Sequence, residues 1–270
     1  MRKRLLIAGG CSYTDPNFKS FAPDFPRNRS WPMWPEHLAS KLGLENHNVA
    51  QSGNCNLSIF ESVLKAITLH EDRVEAVVVL WSGWDRSLLF NMFSICTISV
   101  FRKALKNTNQ WNSTAWMKES KFYEAILNFV NSPAWNPPAF AKDSTNHSLA
   151  LMYTLATICE SKNIKYVFYQ GVDPIRIEII NDMETDLEKP LDRKTFLNPG
   201  SILTEIKECP YSGKLENRKD KIIGWPFLEE SGGNFVDSLR WNKRNSPFKD
   251  QMNVSLLDRH PNAEAQFIIS

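Results

Sequence analysis

The hydrophobic residues of this sequence gather in short, nearly continuous runs that are typical of buried β-strands. Residues 74–81 (VEAVVVLW) form the clearest run, and β-branched side chains fill half of it. Residues 3–8 and residues 165–170 (KYVFYQ) form two further runs, each of which is followed by glycine. A shorter strand is predicted at residues 47–50. Because the clearest run is not interrupted by alternating polar residues, we expect its strand to be buried on both faces.

Apolar residues at helical spacing fill the segments between these strands. Helices are predicted at residues 35–42, 56–69 and 148–161, and a last helix is predicted after Pro261. A chain in which strands and helices alternate builds a parallel sheet that carries helices on both faces. The predicted fold class is therefore α/β, with three layers in an α/β/α sandwich.

Two long segments do not follow this alternation, and we interpret them as insertions into a single domain that spans residues 1–270. Residues 86–142 are rich in Trp, Phe and Asn and are predicted to form a helical insertion. Residues 173–250 contain Pro, Gly and mixed charge with few long periodic runs, which predicts loops and short helices. One larger domain with two elaborations also fits a length of 270 residues.

The composition excludes several classes of partner and site. Hydrophobic residues make up 42% of the chain and charged residues 23%, which is ordinary for a globular protein and argues against disorder. The formal charge of +2 is too small to predict a nucleic-acid or membrane-surface partner. The cysteines are scattered and form no CxxC pair, so we expect no disulfide framework, no metal site and no cofactor. The five are Cys11, Cys55, Cys96, Cys159 and Cys209.

No segment of the sequence predicts export or membrane insertion. The apolar run at residues 5–8 follows a basic start but is shorter than the roughly 7–15 residues of a signal-peptide core. The most apolar stretch, residues 88–101, is interrupted by Asn, Ser and Thr and is too short to span a bilayer. We therefore expect a cytoplasmic protein without a membrane partner, and the oligomeric state is left open.

Polar residues follow the predicted strands, and ligands of parallel sheets bind beyond these carboxyl ends. Residues 9–15 (GGCSYTD) follow the first strand, residues 51–56 (QSGNCN) the second and residues 82–86 (SGWDR) the third, while DRHPN stands at residues 258–262. Together they supply a serine hydroxyl, flexible glycines, amide and indole donors, and an Asp/His pair. This set fits acyl transfer through an activated hydroxyl.

These four segments, in this order, resemble the sequence blocks of the SGNH/GDSL hydrolase superfamily. The blocks are a Gly-x-Ser after the first strand, a Gly-Asn loop after the second, a polar turn after the third and a terminal Asp-x-His-Pro. The GCSYT, SGNCN and WSGWDR sequences resemble phage-encoded members more closely. The resemblance does not extend to the two insertions. It implies a flavodoxin-like parallel sheet that carries a metal-independent serine hydrolase site.

The resemblance implies that Ser12 is the nucleophile and that Gly10 allows the tight turn that leaves its hydroxyl accessible. Two alternatives stay open. Ser12-x-x-Asp15 also fits a capping box, in which Ser12 caps a helix. Cys11, where the family usually has Asp, is a rival nucleophile, although a small thiol buried in the sheet is the other interpretation of this residue.

The terminal block supplies the base of the implied catalytic triad. His260 corresponds to the general base that takes the Ser12 proton, and Asp258 to the residue that orients the imidazole. Pro261 fixes the turn into the last helix. The usual spacing in the family is Asp-x-x-His, so this chain departs from it with Asp-x-His.

The resemblance assigns the oxyanion hole to the backbone N–H groups of Ser12 and Gly53. The third donor of the family is an Asn side chain after the third strand, and this sequence has no Asn there. The indole N–H of Trp84 and the side-chain amide of Asn54 are two possible replacements, and aromatic packing is the other interpretation of Trp84. Loss of one such donor typically lowers kcat by about 10²–10³.

The predicted function is hydrolysis of a short O-acyl ester through an acyl-Ser12 intermediate. By resemblance, an O-acetyl group on a carbohydrate is the expected substrate, and a small-molecule or carbohydrate ester is the expected partner. The alternative is a non-catalytic binding or virion-associated module that keeps the hydrolase scaffold, because a fold does not guarantee an activity. Nucleotide binding is not favoured, since the chain contains neither GxGxxG nor GxxxxGK[ST].

Overall fold

The computed structural model describes residues 3–18, 31–84, 86–89, 93–95, 137–171, 202–227 and 261–269. Its strands are β1 (Leu5–Gly9), β2 (Glu45–Asn48), β3 (Val74–Trp81), β4 (Ser87–Leu89), β5 (Phe93–Ile95), β6 (Lys165–Gln170) and β7 (Ile222–Ile223). Its helices are α1 (Trp34–Leu42), α2 (Asn56–Leu69), α3 (Pro137–Ser161), α4 (Ile202–Glu208), α5 (Ser212–Glu216) and α6 (Ala263–Ile269). A 3₁₀ turn, Glu71–Arg73, leads from α2 into β3.

The main sheet consists of β2, β1, β3, β6 and β7 in this spatial order, and all neighbouring strands are parallel. The chain starts at β1, adds β2 on one side, and then adds β3, β6 and β7 on the other. Counted over the main sheet alone, this is the 2-1-3-4-5 order of flavodoxin-like doubly wound folds. The α/β fold class with a flavodoxin-like parallel sheet, as predicted, is confirmed.

Buried apolar side chains lie on both faces of this sheet. On one face, Ile7 and Val77 pack into a cluster with side chains of α2 and α3. On the other face, Leu6 and Val78 pack with side chains of α1 and α6. Since successive side chains of a strand point to opposite faces, two covered faces require apolar residues at every position. This explains the continuous apolar runs of β1 and β3, and it confirms the three layers.

Two elements begin at least two residues earlier than the sequence predicts. The strand β2 begins at Glu45 rather than at residue 47, because it is a polar strand at the edge of the sheet and its hydrophobic pattern does not mark its start. The helix α3 begins at Pro137 rather than at residue 148. Its first turns carry exposed residues such as Lys142 and Asp143 and show no apolar stripe, while proline is well tolerated in a first helical turn.

The described parts of the two insertions also differ from the prediction. The region predicted as a helical insertion, residues 86–142, contains the antiparallel hairpin β4–β5 and the start of α3. The second region, residues 173–250, contains the short helices α4 and α5 as predicted, but also β7, which joins the main sheet beside β6. Two residues are too few to show a strand pattern. The remaining residues of both insertions lie outside the described ranges, so the division into one domain stays a prediction.

Across the described helices, none combines the length and the apolar character that crossing a membrane requires.

Candidate active site

The carboxyl ends of β1, β2, β3 and β6 lie along one end of the sheet, which we call the carboxyl edge, and the described residues that follow β1, β2 and β3 meet there. The chain leaves β1 toward β2 on one side and returns to β3 on the other, so β1 and β3 flank the point where the strand order reverses. Ligands of open parallel sheets bind at such a point. Ser12 lies here, in the turn directly after β1, and its side chain is partly exposed.

The turn after β1 is tight, and Gly10 allows it. A Cβ atom at position 10 would lie 2.4 Å from Oγ1 and 2.7 Å from Cβ of Thr14, which is too close for any other residue. The backbone N–H groups of Thr14 and Asp15 both donate to the Cys11 carbonyl, at 2.9 and 3.0 Å. Residues 12–14 therefore form a turn, and no helix begins at Ser12 within the described part of the chain. The capping-box alternative for Ser12 is not what this turn shows.

The rival nucleophile lies in a different environment. The Cys11 side chain is completely buried, whereas that of Ser12 is partly exposed. A thiol that is buried in this way is not accessible to a substrate. The burial therefore agrees with the interpretation of Cys11 as a small packing residue.

The Asp15 carboxylate joins the first loop to the second. Its Oδ2 atom accepts hydrogen bonds from the Ser52 backbone N–H at 2.7 Å and from the Ser52 hydroxyl at 2.5 Å. Its Oδ1 atom accepts one from the Asn17 N–H at 2.7 Å. Asp15 is only 5% exposed, so these bonds replace the water that a carboxylate would otherwise hold.

Further bonds fix the second loop against the first. The Asn48 side-chain amide donates to the Thr14 carbonyl at 2.7 Å, and the Gln51 N–H donates to the Gly10 carbonyl at 3.3 Å. Ser12 lies between Gly10 and Thr14 in the sequence, and the carbonyls of these two residues are bound by Gln51 of the second loop and by Asn48 at the end of β2. The two loops form one hydrogen-bonded unit at the carboxyl edge.

Gly53 and Asn54 lie at the tip of this second loop. Gly53 has a φ of 87°, a left-handed conformation that favours glycine. No described residue accepts a hydrogen bond from its backbone N–H. The buried side-chain amide of Asn54 makes a long contact of 3.5 Å with the Gly10 carbonyl. Both proposed donors therefore lie on the loop that contacts the Ser12 turn.

The turn after β3, which we call the floor of the site, packs beside these loops and includes Ser82 and Trp84. The Ser82 N–H donates to the Asn56 side chain at 2.8 Å, and the Ser82 carbonyl accepts from the Gln170 amide at 2.8 Å. The Asn56 amide also donates to the Ser148 hydroxyl of α3 at 3.1 Å. Two buried amides, from α2 and from the end of β6, therefore hold both sides of the Ser82 residue.

Trp84 belongs to this floor. Its indole N–H donates to the Gln170 side-chain oxygen at 3.0 Å, and its ring packs edge-on against Phe227 at a centroid distance of 6.1 Å. Since the ring is 2% exposed, this N–H is bonded within the core. We therefore keep Asn54, and not Trp84, as the candidate for the third oxyanion donor.

Asn56 and Gln170 are site-supporting residues that sequence analysis did not identify. Their only local signal is a position: Asn56 directly follows the SGNC sequence, and Gln170 ends a strand. A polar residue that ends a strand buried by apolar neighbours is one that the fold places at the carboxyl edge.

The last helix contacts the loop that contains Ser12. The Gln266 side chain of α6 accepts a bond from the Trp34 N–H at 2.9 Å and donates to the Tyr13 carbonyl at 3.4 Å. Pro261, which precedes this helix, is buried. Asp258 and His260 lie outside the described residues, so the predicted triad is not tested.

Two side chains in the described loops of this edge carry a formal charge, Asp15 and Arg86. An Arg86 N–H donates to the Asn54 carbonyl at 3.4 Å. Within the described part of the chain, no group of three or more His, Cys, Asp or Glu side chains is arranged to hold a metal ion.

Comparison with solved structures gives distant likenesses, two of which are described here. No protein-family model matches the chain, and no curated protein sequence matches it. A protein assigned to the G-D-S-L family of lipolytic proteins, from Desulfitobacterium hafniense DCB-2, has a TM-score of 0.43 and 11% identity, and the match covers 98% of this chain and 94% of that one. LAE5, an alpha/beta hydrolase enzyme from the metagenome of Lake Arreo, Spain, has a TM-score of 0.39 and 11% identity, with 99% and 91% covered.

The α/β fold class rests on the order and the parallel direction of the strands of the main sheet.

Proposed function

We propose that this chain is a serine hydrolase that cleaves short O-acyl esters through an acyl-Ser12 intermediate. The observation that carries the proposal is the pairing of two loops at the carboxyl edge. One presents the partly exposed Ser12, and the other presents the Gly53 N–H, which no described residue uses. A nucleophile beside a backbone N–H that can face the developing oxyanion is part of the arrangement that acyl transfer requires.

In the proposed reaction, His260 removes the Ser12 proton while the Ser12 oxygen attacks the ester carbonyl. The carbonyl oxygen becomes an oxyanion, which accepts hydrogen bonds from the N–H groups of Ser12 and Gly53 and from the Asn54 amide. The intermediate collapses, the C–O bond breaks, and the alcohol leaves with the proton from His260. Water then repeats these steps on the acyl-serine and releases the acid. Asp258 orients the imidazole and stabilises its charged form.

The contact between α6 and the Tyr13 carbonyl supports the role of His260. His260 directly precedes Pro261, and the helix that begins at Ala263 is bonded to the residue next to Ser12 through Gln266. The segment that contains the proposed base, His260, therefore leads directly into a helix that contacts the turn containing Ser12.

The choice of substrate rests on the sequence resemblance. It favours an O-acetyl group on a carbohydrate, so we propose a small-molecule or carbohydrate ester as the substrate. The small number of charges in the described site loops agrees with a neutral ester.

The test is hydrolysis of p-nitrophenyl acetate by the full chain and its Ser12→Ala variant, together with labelling by a fluorophosphonate probe. We expect Ser12→Ala to lower kcat by about 10³-fold or more and to abolish labelling, because the covalent step is lost. Ser161 is an exposed serine at the end of α3, and Ser161→Ala is the matched control. We expect this variant to keep the wild-type kcat and the wild-type labelling. Equal hydrolysis and labelling with and without Ser12 would contradict the proposal.

A non-catalytic binding module is the second candidate, and one observation favours it. The Trp84 indole N–H in the turn after β3 is not available to an oxyanion, since it is bonded to Gln170. If the oxyanion had only its two backbone donors, kcat would fall by the factor that loss of a third donor costs. Failure of the wild-type chain to label with the fluorophosphonate would favour this candidate.

A further inference from the structure

Asp15 lies three residues after Ser12, yet its carboxylate reaches across to the loop that carries Gly53. Every group bonded to it donates: the Asn17 N–H, the Ser52 N–H and the Ser52 hydroxyl. An ionised carboxylate accepts only, with two oxygens and about four lone-pair positions. A carboxamide at this position would direct its own N–H₂ group at one of these donors. The surroundings are therefore built for a carboxylate.

The bonds from Ser52 have a consequence for the next peptide group. With its N–H and its hydroxyl both bound to Asp15, Ser52 is fixed in position and orientation. Gly53 follows in a left-handed conformation, with a backbone N–H that no described residue accepts. Such a donor stabilises an oxyanion only if it is already oriented before reaction.

From this geometry we propose that Asp15 is a positioning residue that orients the Gly53 N–H, and with it the Asn54 amide, toward the reacting carbonyl. This inference rests on the proposed function. In the proposed reaction Asp15 touches neither the substrate nor the reacting atoms. It acts through Ser52. Because Asp15 is buried, water competes little for its oxygens, and this strengthens its hydrogen bonds to Ser52.

A purely structural role for Asp15 would lower stability without changing the chemical step. A positioning role affects the barrier, because both the acylation and the deacylation step develop an oxyanion. We therefore expect Asp15→Asn to lower kcat for p-nitrophenyl acetate about 10- to 100-fold while KM changes less than about threefold. Ser52→Ala, which removes the 2.5 Å bond and keeps both backbone bonds, is expected to lower kcat by about three- to tenfold.

The matched control is Glu160→Gln. Glu160 is also a carboxylate with three donated bonds, from Arg218 and Tyr166, but it lies at the end of α3, at the opposite end of the sheet. We expect it to lower the unfolding temperature and leave kcat unchanged. Hydrogen exchange of the peptide that covers residues 49–55 gives a readout that needs no activity: exchange should accelerate in Asp15→Asn and not in Glu160→Gln.

The outcomes separate this inference from the proposed function. If Ser12→Ala keeps the activity, the proposed function fails, and the inference fails with it. If Ser12→Ala abolishes activity but Asp15→Asn keeps the wild-type kcat, or leaves exchange of residues 49–55 unchanged, only the inference is overturned. Should Asp15→Asn not fold, Ser52→Ala decides, and an unchanged kcat in that variant overturns the inference.

Discussion

The two ends of the main sheet are held together by different kinds of polar interaction. At the carboxyl edge the bonds among the described residues join neutral amides, hydroxyls and backbone groups, except those of the Asp15 carboxylate and the Arg86 guanidinium. The other end, which we call the amino edge, comprises the first residues of the strands and the segments that lead into them. The ion pairs resolved among the described residues lie there or on the adjoining α5 segment. They include Arg4–Glu75, Arg73–Glu45, Lys162–Glu71, Lys165–Glu75 and Arg218–Glu160.

Exposure explains why the two edges differ in energy. The Lys165 side chain is 78% exposed, whereas Asn56 is 3% exposed. An exposed ion pair contributes about 0–1 kcal/mol, because water screens it and two long side chains lose freedom. A buried polar group that loses its partner costs about 1–3 kcal/mol, because water does not replace the bond. The carboxyl edge is therefore the more sensitive of the two.

The difference fits the proposed chemistry. A site that stabilises a developing charge needs donors that are fixed beforehand in a region from which water is excluded. Buried amides supply such a frame without adding a competing charge. The amino edge has no such requirement, and exposed ion pairs are sufficient to join strand starts to helix ends.

The largest effect is expected at the carboxyl edge, for Asn56→Ala. This change leaves the buried Ser82 N–H and the Ser148 hydroxyl without their partner. We expect a loss of about 3 kcal/mol in the free energy of unfolding, measured by urea denaturation. Because neutral groups are involved, the loss should be the same at low and high salt.

Asn217→Ala is the control for this substitution, since Asn217 is exposed at the end of α5 and should change stability by less than about 0.5 kcal/mol. A loss below about 1 kcal/mol for Asn56→Ala, or one that shrinks with salt, would show that the two edges do not differ as described.

Most of the fold follows from local patterns, and the exceptions have physical reasons. The bounds of α2, β3 and β6 coincide with the predicted ones, because burial on a helix face or on both faces of a sheet leaves a clear apolar pattern. The edge strands do not show it. β2 is polar, and β7 has only two residues, so its position in the sheet depends on partners far away in the chain.

The candidate site is predictable only in part. The structure locates Ser12 and Gly53 at the carboxyl edge. This position is predicted from the sequence, because glycines mark the ends of the strands that precede both residues. The roles of Ser12 and Gly53 stay predictions. The supporting bonds were not predictable, because Asn56 and Ser148 lie 92 residues apart and Ser82 and Gln170 lie 88 apart. Bonds between such distant segments leave no periodic signal in a sequence.

An intermediate effect is expected at the amino edge, for Glu160→Gln. Two N–H groups of Arg218 bond to the two oxygens of Glu160 at 3.0 and 2.7 Å, and the Tyr166 hydroxyl donates at 2.7 Å. The bond from Arg218 is the main reason that the pKa of Glu160 is lowered. Since the side chains are partly exposed, we expect a loss of about 1 kcal/mol, with a matching loss for Arg218→Gln.

A double-mutant cycle of Glu160→Gln and Arg218→Gln measures this interaction. The coupling should shrink between low salt and about 0.5 M NaCl, at which the Debye length falls well below 10 Å. A coupling energy that does not change with salt would mean that this pair behaves like the buried amides. It would contradict the difference described between the two edges.

The smallest effect is a pH dependence at the edge strand β2. The His47 ring contacts that of His70, the residue after α2, at a centroid distance of 4.7 Å. Burial, followed by the nearby His70, lowers the pKa of His47 below its usual 6.5; Arg73 lowers it further and Glu45 opposes this. Below pH 6.5 the unfolded chain therefore takes up a proton that the folded chain resists, so stability is full above this pH and declines as the pH falls.

We expect this decline to stay below about 1 kcal/mol between roughly pH 7.5 and pH 5.5, because His47 is only partly buried. Thermal unfolding across this range measures it. His47→Gln should show a shallower pH dependence than the wild-type chain, whereas His147→Gln, at an exposed position of α3, should keep the full dependence. If His47→Gln and the wild type lose the same stability on acidification, the imidazole pair does not contribute to the pH response of the amino edge.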